Sequence, residues 1–317
     1  MLRAREVKML TQERIDRMLD APGFDDASKL LLDIGYPDMS GMGMNQLDAI
    51  LEQRRADLFD EISKFGYALD VLDLFRIKYD YHNIKVLVKS AGADIDASYL
   101  LSASGRIGAK ILTDAFISGQ FDGLPRLAAS AINSATGILS RTGNPQLADI
   151  EIDKFYYEEL SAFAKKLKDD FVTGYVKLLI DNANLRIMVR SARIGRNKDF
   201  LMATIIPGGS ATAEQIATAF EDGTGAPFTD EALSQAVYLG AQVMKNGSQQ
   251  TLFELACDNA VLNYITGVKY VSFGHIPVIA FFAKLEWEIT VVRMILTGKY
   301  TGISPDVVRE RLRDCHV

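Results

Sequence analysis

Few residues of this 317-residue chain stand at spacings that could perform chemistry, and each such spacing is incomplete. Gly298-Lys299 supplies the tail of a phosphate-cradling Gly-x-x-x-x-Gly-Lys-Ser/Thr loop. Tyr300 stands where that loop needs a Ser or Thr for magnesium, and Arg293 where it needs its first glycine. Gly41-Met-Gly43 lacks the preceding strand and third glycine of a dinucleotide fingerprint, and reads as a flexible loop. His82, His275 and His316 are scattered, without the His-x-x-x-His or Cys-x-x-Cys spacing that gathers metal ligands. His82 therefore reads as a surface or packing residue. The paired acids Asp25-Asp26, Glu158-Glu159 and Asp169-Asp170 could hold magnesium diphosphate only as Asp-Asp-x-x-Asp, which none of them forms. Each reads as a helix N-terminal or solvated charge. No catalytic, cofactor-binding or metal-ligating residue is assigned, and no cofactor is expected.

The totals point the same way. Nearly half the residues are apolar (48%), enough to bury a sizeable core, and the net charge of -6 disfavours a general nucleic-acid binder. Cys257 and Cys315 are too few for a disulfide framework or a structural zinc site and fit a reducing cytosol. The N-terminal stretch is basic without a continuous apolar run, so it reads as a surface helix rather than a signal peptide. The most apolar window, Ile276 to Ala283, is cut off by Lys284 and Glu286 well short of the roughly 20 residues of a membrane span.

The elements that must position whatever this chain does are helices. Apolar residues recur at three- and four-residue spacing, and turn clusters such as Tyr36-Pro37-Asp38, Asn144-Pro145, Pro207-Gly208-Gly209 and Asp222-Gly223 punctuate them. A long pattern recurs three times: Asp80 to Ser90, Asp181 to Ser191, and Glu288 to Gly298. Each has an acid, an aliphatic four residues on, a base, and three more aliphatics. The bases Lys85, Arg186 and Arg293 are 101 and 107 positions apart. Short amphipathic helices keep the same phase, marked by Ile15/Leu19, Leu112/Phe116 and Ile216/Phe220. A fourth, Val308/Leu312, begins a further copy, with a natural use in packing against the first unit. Three helical units are expected, over residues 1–105, 106–209 and 210–317.

On a wheel at about 100° per residue, Asp80 shares the face of Ile84, Leu87 and Val88, with Asn83 at its edge. Asp181 and Asn184 fall likewise, as does Glu288 among Val292, Ile295 and Leu296. The acids thus aim at the core, where a lone carboxylate is costly. Their own bases point about 140° away, so each acid needs a base or helix terminus from another helix. Phe65, Tyr67, Phe75, Phe171, Tyr175, Phe281 and Phe282, upstream of the motifs, read as core packing. Met39, Met42 and Met44 could instead form an adaptable contact surface.

The run Leu285 to Lys299, followed by Gly302-Ile-Ser-Pro-Asp-Val-Val-Arg-Glu-Arg-Leu-Arg313, resembles the closing signature of the C (or d) subunit of V-type and A-type rotary ATPases. Asn83-Ile84-Lys85, Asn184-Leu185-Arg186 and the opening Arg3 to Leu10 fit the same family, so the resemblance covers essentially the whole chain. The third copy departs from it with Val291 in the asparagine position. The resemblance implies an all-α funnel of three pseudo-symmetric helical repeat units around a central opening. It implies a non-catalytic rotor part, seated on a membrane ring of small hydrophobic subunits and receiving the central shaft. Torque between ATP hydrolysis or synthesis and proton or sodium transport would pass through it. The chain would be peripheral on the cytoplasmic face and monomeric when isolated. The competing readings are a generic α-helical scaffold or regulator and an all-helical enzyme with a cryptic site.

Overall fold

A computed structural model of the chain describes residues 5–6, 8–64, 69–224, 227–228, 230–267, 271 and 274–312. The described residues form helices and turns without strands. In chain order the helices are α1 (Gln12–Asp20), α2 (Phe24–Lys29), α3 (Met44–Ser63), α4 (Leu69–Ala93), α5 (Ala109–Ser118), α6 (Arg126–Thr142) and α7 (Pro145–Leu167). They continue as α8 (Asp170–Arg193), α9 (Lys198–Thr204), α10 (Ala213–Asp222), α11 (Ser234–Asn246), α12 (Gln250–Thr266), α13 (Ile276–Thr301) and α14 (Pro305–Arg309). Short 3-10 turns stand at Leu32–Ile34, Ser98–Leu100 and Glu231–Leu233.

Local chemistry sets many of these boundaries. Asn144 caps α7 by accepting from the Gln146 N–H, and Pro145 opens the helix with φ already suitable. Thr212 and Gln215 form a reciprocal capping box on α10, which Gly223 ends in the left-handed conformation. Asp169 caps α8 through the N–H groups of Phe171 and Val172. Asp25 and Asp26 occupy the first turn of α2. No helix among the described residues is long and apolar enough to cross a membrane.

Spatially the chain divides into two compact units: Met1–Ala68 with Asp230–Val317, and Leu69–Thr229. This partition differs from the phase of the repeats, because the first unit combines both ends of the chain. Its core is α13, which packs on α2, α3, α12 and α14. Buried residues occupy most faces of α13, with Arg293 and Tyr300 left exposed. Phe281 and Phe282 are fully buried there, and Phe282 meets Phe59 of α3 at 5.0 Å between ring centroids. In the second unit α4 packs on α6 and α7, and α7 also packs on α8. Phe75 and Tyr175 are buried there and Phe171 is half-buried, whereas Phe65 and Tyr67 lie outside the described residues. Met39 is fully buried and so belongs to the core; Met42 and Met44 are half-buried.

Replacing Asp169 with alanine should cost about 1 kcal/mol, because two N–H groups at the start of α8 lose their acceptor. Chemical denaturation of the two proteins measures this directly; an unchanged midpoint would show that the cap is dispensable.

Candidate functional site

Three long helices, α4, α8 and α13, each carry an acid that is at most 1% exposed: Asp80, Asp181 and Glu288. Each carboxylate accepts a backbone hydrogen bond from the segment leading into a short helix. Asp80 accepts from the Ile107 N–H at 2.9 Å, two residues before α5. Asp181 accepts from the N–H of Ser210 at 2.9 and 3.1 Å and from its hydroxyl, just ahead of α10. Glu288 accepts from the Leu10 N–H at 2.8 Å, two residues before α1. An acid placed there satisfies a buried donor and sits near the positive end of the helix it steadies.

The order of these contacts is cyclic along the sequence. The first two acids reach forward by 27 and 29 residues, but Glu288 reaches back 278 residues to the start of the chain. The helix it steadies, α1, is covered by α14 of the same unit. Val308 of α14 therefore does not begin a fourth clamped copy; α14 lies on α1 and α13. Val308 is seated there because Gly298 leaves room: a Cβ at 298 would come within 2.8 Å of it.

The asparagines act as a second clamp. The Asn83 side chain donates to the Ser102 carbonyl at 2.9 Å and accepts from the Ser102 N–H at 2.7 Å. Asn184 makes the same two-way pair with Ile206, at 2.8 and 2.9 Å. In the third copy Val291 is buried in that place, and Lys299 grips α1 from its other end. Its ammonium donates to the carbonyls of Leu19 in the last turn of α1 and of Ala21, which caps that helix. Glu288 and Lys299 thus hold α1 at both ends, where no short connection tethers it.

The bases of the motif face elsewhere. Lys85 pairs with Asp153 of α7 at 2.6 Å, and Arg293 with Asp48 of α3 at 2.9 Å on the surface. Arg186 lies beside Tyr157 of α7, whose hydroxyl is pushed up by burial and by Asp153, with Arg186 opposing. His82 is exposed and its Nε2 meets the Leu100 carbonyl at 2.9 Å.

Several contributors are not marked by the repeat. Arg106 bonds Asp80 at 2.7 Å and Glu159 at 2.6 Å, and Glu159 also accepts from the Tyr81 hydroxyl at 2.7 Å. Glu159 is thus part of a largely buried ion network and not the solvated charge expected from its pairing with Glu158. Tyr36 donates to Glu288 at 2.9 Å, and Arg54, stacked on the Tyr36 ring, approaches Glu288 at 3.9 Å. Gly105 and Gly209 press against the carboxylates: an added Cβ would stand 2.6 Å from Asp80 Oδ1 and 2.2 Å from Asp181 Oδ1. The sequence signal for them is a glycine-bearing turn at nearly the same distance after each of the first two acids, 25 and 28 residues on.

Burial raises the pKa of Glu288 and of Asp80, although hydrogen bonds and nearby arginines pull each back in part. Burial also raises the Tyr36 hydroxyl, with Glu288 adding to it. These shifts belong to structural groups. Among the described residues no group of three or more His, Cys, Asp or Glu side chains could hold a metal ion.

The decisive comparison is with known families. The model of the ATP synthase (C/AC39) subunit family matches residues 1–311. The chain belongs to that family. Its members are non-catalytic parts of rotary ATPase complexes. The C subunit of the V-type sodium ATPase of Enterococcus hirae is 21% identical to this chain, over all of it and 97% of the relative. The C subunits of the A-type ATP synthases of Methanocaldococcus jannaschii and Thermococcus kodakarensis are each 23% identical over 98% of this chain. They are covered over 84% and 87% of their own lengths.

Glu288→Leu should destabilise the protein by about 3 kcal/mol, since the Leu10 N–H and Tyr36 hydroxyl lose their acceptor. Glu288→Gln keeps an acceptor and should stay within about 1 kcal/mol of the wild type at neutral pH. The pH dependence has a defined sign. A raised pKa means that the folded state binds more protons, so unfolding free energy falls as pH rises from the ordinary glutamate value of 4.5 through the folded pKa. Glu288→Gln lacks this slope and should therefore gain on the wild type as pH rises through that window. Parallel denaturation curves across pH would refute the assignment.

A second expectation concerns Gly209→Ala. The new methyl group would displace the Asp181 carboxylate or its loop, and overpacking of this kind costs about 1–3 kcal/mol. Thermal unfolding reads this out, and an unchanged transition would show that the loop gives freely.

Proposed function

We propose that this chain is the central-stalk rotor part of a V/A-type rotary ATPase. It couples the central shaft to a membrane ring of small hydrophobic subunits, linking ATP hydrolysis or synthesis to proton or sodium transport. The observation that carries this reading is the family match along residues 1–311. The names of the relatives, from a V-type sodium ATPase and from A-type ATP synthases, favour it.

The architecture suits such a part physically. Torque must pass through a body whose helices do not slide, and buried carboxylates bonded to backbone N–H groups resist sliding. A one-turn slip would strand both a buried charge and a buried donor. Repeat units over 1–105, 106–209 and 210–317, arranged as a funnel around an opening, would let the shaft enter one end while the other rests on the ring. In this reading the chain sits peripherally on the cytoplasmic face and is a monomer when isolated. The eight motif residues Asp80, Asn83, Lys85, Asp181, Asn184, Arg186, Glu288 and Arg293 act as its frame and not as its contacts.

Two measurements test this. The chain should co-purify from native membranes with the small ring subunits. Membranes lacking it should retain ATP hydrolysis by the catalytic head but lose ATP-driven ion uptake, which the purified chain restores. Recovery with no ATPase components, or uptake that is independent of the chain, would overturn the reading.

A further inference from the structure

The three short helices that the acids steady are not equally covered. Helix α9 follows the second motif helix and lies on α8 and α10; its Lys198 bridges Glu221 at the end of α10 at 2.7 Å. Helix α14 follows the third and lies on α13 and α1; its Arg309 bridges Asp20 at the end of α1 at 3.3 Å. Glu221 and Asp20 occupy the same repeat position, five residues after Ile216 and Ile15.

The first copy differs at both points. The segment after α4 makes only the 3-10 turn Ser98–Leu100, which packs on α4 itself. At the repeat position of Glu221 and Asp20 stands Ile117, which is 78% exposed. Tyr99 in the shortened connection is 79% exposed. A covering helix is therefore missing where an acid has been exchanged for a large apolar residue. A single exposed isoleucine is ordinary on a protein surface, so the signal lies in its coincidence with the missing helix.

We propose that the outer edge of α5 at Ile117 is a docking site for a short amphipathic helix from a partner chain, which takes the place that α9 and α14 hold on α10 and α1. The other two copies define the occupant as a helix of one or two turns. The exchange of the acid for Ile117 calls for an apolar contact in place of the bridging base. The charges next to it on the chain are balanced: Asp114 is bonded to Lys110 at 2.9 Å, and exposed Asp122 is followed by exposed Arg126. An apolar stripe, and not a particular sign of charge, is therefore what the site asks of its occupant. The site rests on the reading above only in that the partner is another member of the same ATPase complex.

The test exploits the internal comparison. Ile117→Glu installs the residue that the second copy carries, so it should fold normally, with a melting temperature within about 2 °C of the wild type. Added to membranes lacking this chain, the variant should bind about tenfold or more weakly than wild type. A photo-crosslinking residue at position 117 should attach, in the native complex, to a helical segment of another protein of that complex. Wild-type-like binding by Ile117→Glu overturns the site, as does crosslinking only to lipid, only within the chain, or not at all. Failure of the wild-type chain to bind those membranes would instead overturn the proposed function.

Discussion

A carboxylate with no solvent exposure, set among aliphatic residues on a long helix, is tolerated only when its oxygens are fully engaged. Asp80, Asp181 and Glu288 meet that condition with the same kind of partner, a backbone N–H at the entrance to a short helix. Much else follows from it. The donors ahead of α1, α5 and α10 cannot move without stranding a charge, so the loops that carry them are fixed. Fixed loops then admit only glycine where the backbone passes the oxygens, at Gly105 and Gly209. The two-way asparagine pairs extend the same constraint upstream by several residues in the first two copies.

The third copy shows what happens when that constraint must act between distant parts of the chain. Loop closure over 278 residues costs more entropy than closure over 27 or 29, though only logarithmically. Here the clamp has gained contacts and lost one. Tyr36 joins the carboxylate, Lys299 takes the far end of α1, and the asparagine gives way to Val291. Helix α1 also buries Ile15, Met18 and Leu19, whereas α5 buries only Leu112. Apolar area replaces the short tether.

Much of this is legible in the sequence because helical periodicity is a local property. The wheel puts the three acids among aliphatics, and the phase of Ile15, Leu112 and Ile216 marks the helices they steady. The absent active-site spacings are equally plain. Pairing across sequence distance leaves no such trace. Nothing local marks Arg106 as the partner of Asp80 and Glu159, or Tyr36 as that of Glu288. Glu158-Glu159 shows the difficulty well: two adjacent acids on α7 have different surroundings, because only the second faces Arg106. The apolar run after Ser304 resembles a further copy for a related reason. Its periodicity is that of a short clamped helix, but the place of such a helix in that unit is already filled by α1.

A repeat protein built this way separates framework from recognition. The positions that recur, acid, base and aliphatic, are occupied within the fold, so they carry little information about partners. Partner information must lie where the copies disagree. Ile117 against Glu221 and Asp20 is such a position, and so are the exposed Gly92 and Ile95 against Arg193 and Arg196, 101 positions on. A body that contacts asymmetric neighbours gains from such differences, because identical surfaces on every copy would fit each neighbour in several rotated registers. A charge that one copy carries and another lacks raises the free energy of the wrong registers. In the proposed rotor reading, the recurring clamps supply stiffness and the departures from them supply orientation.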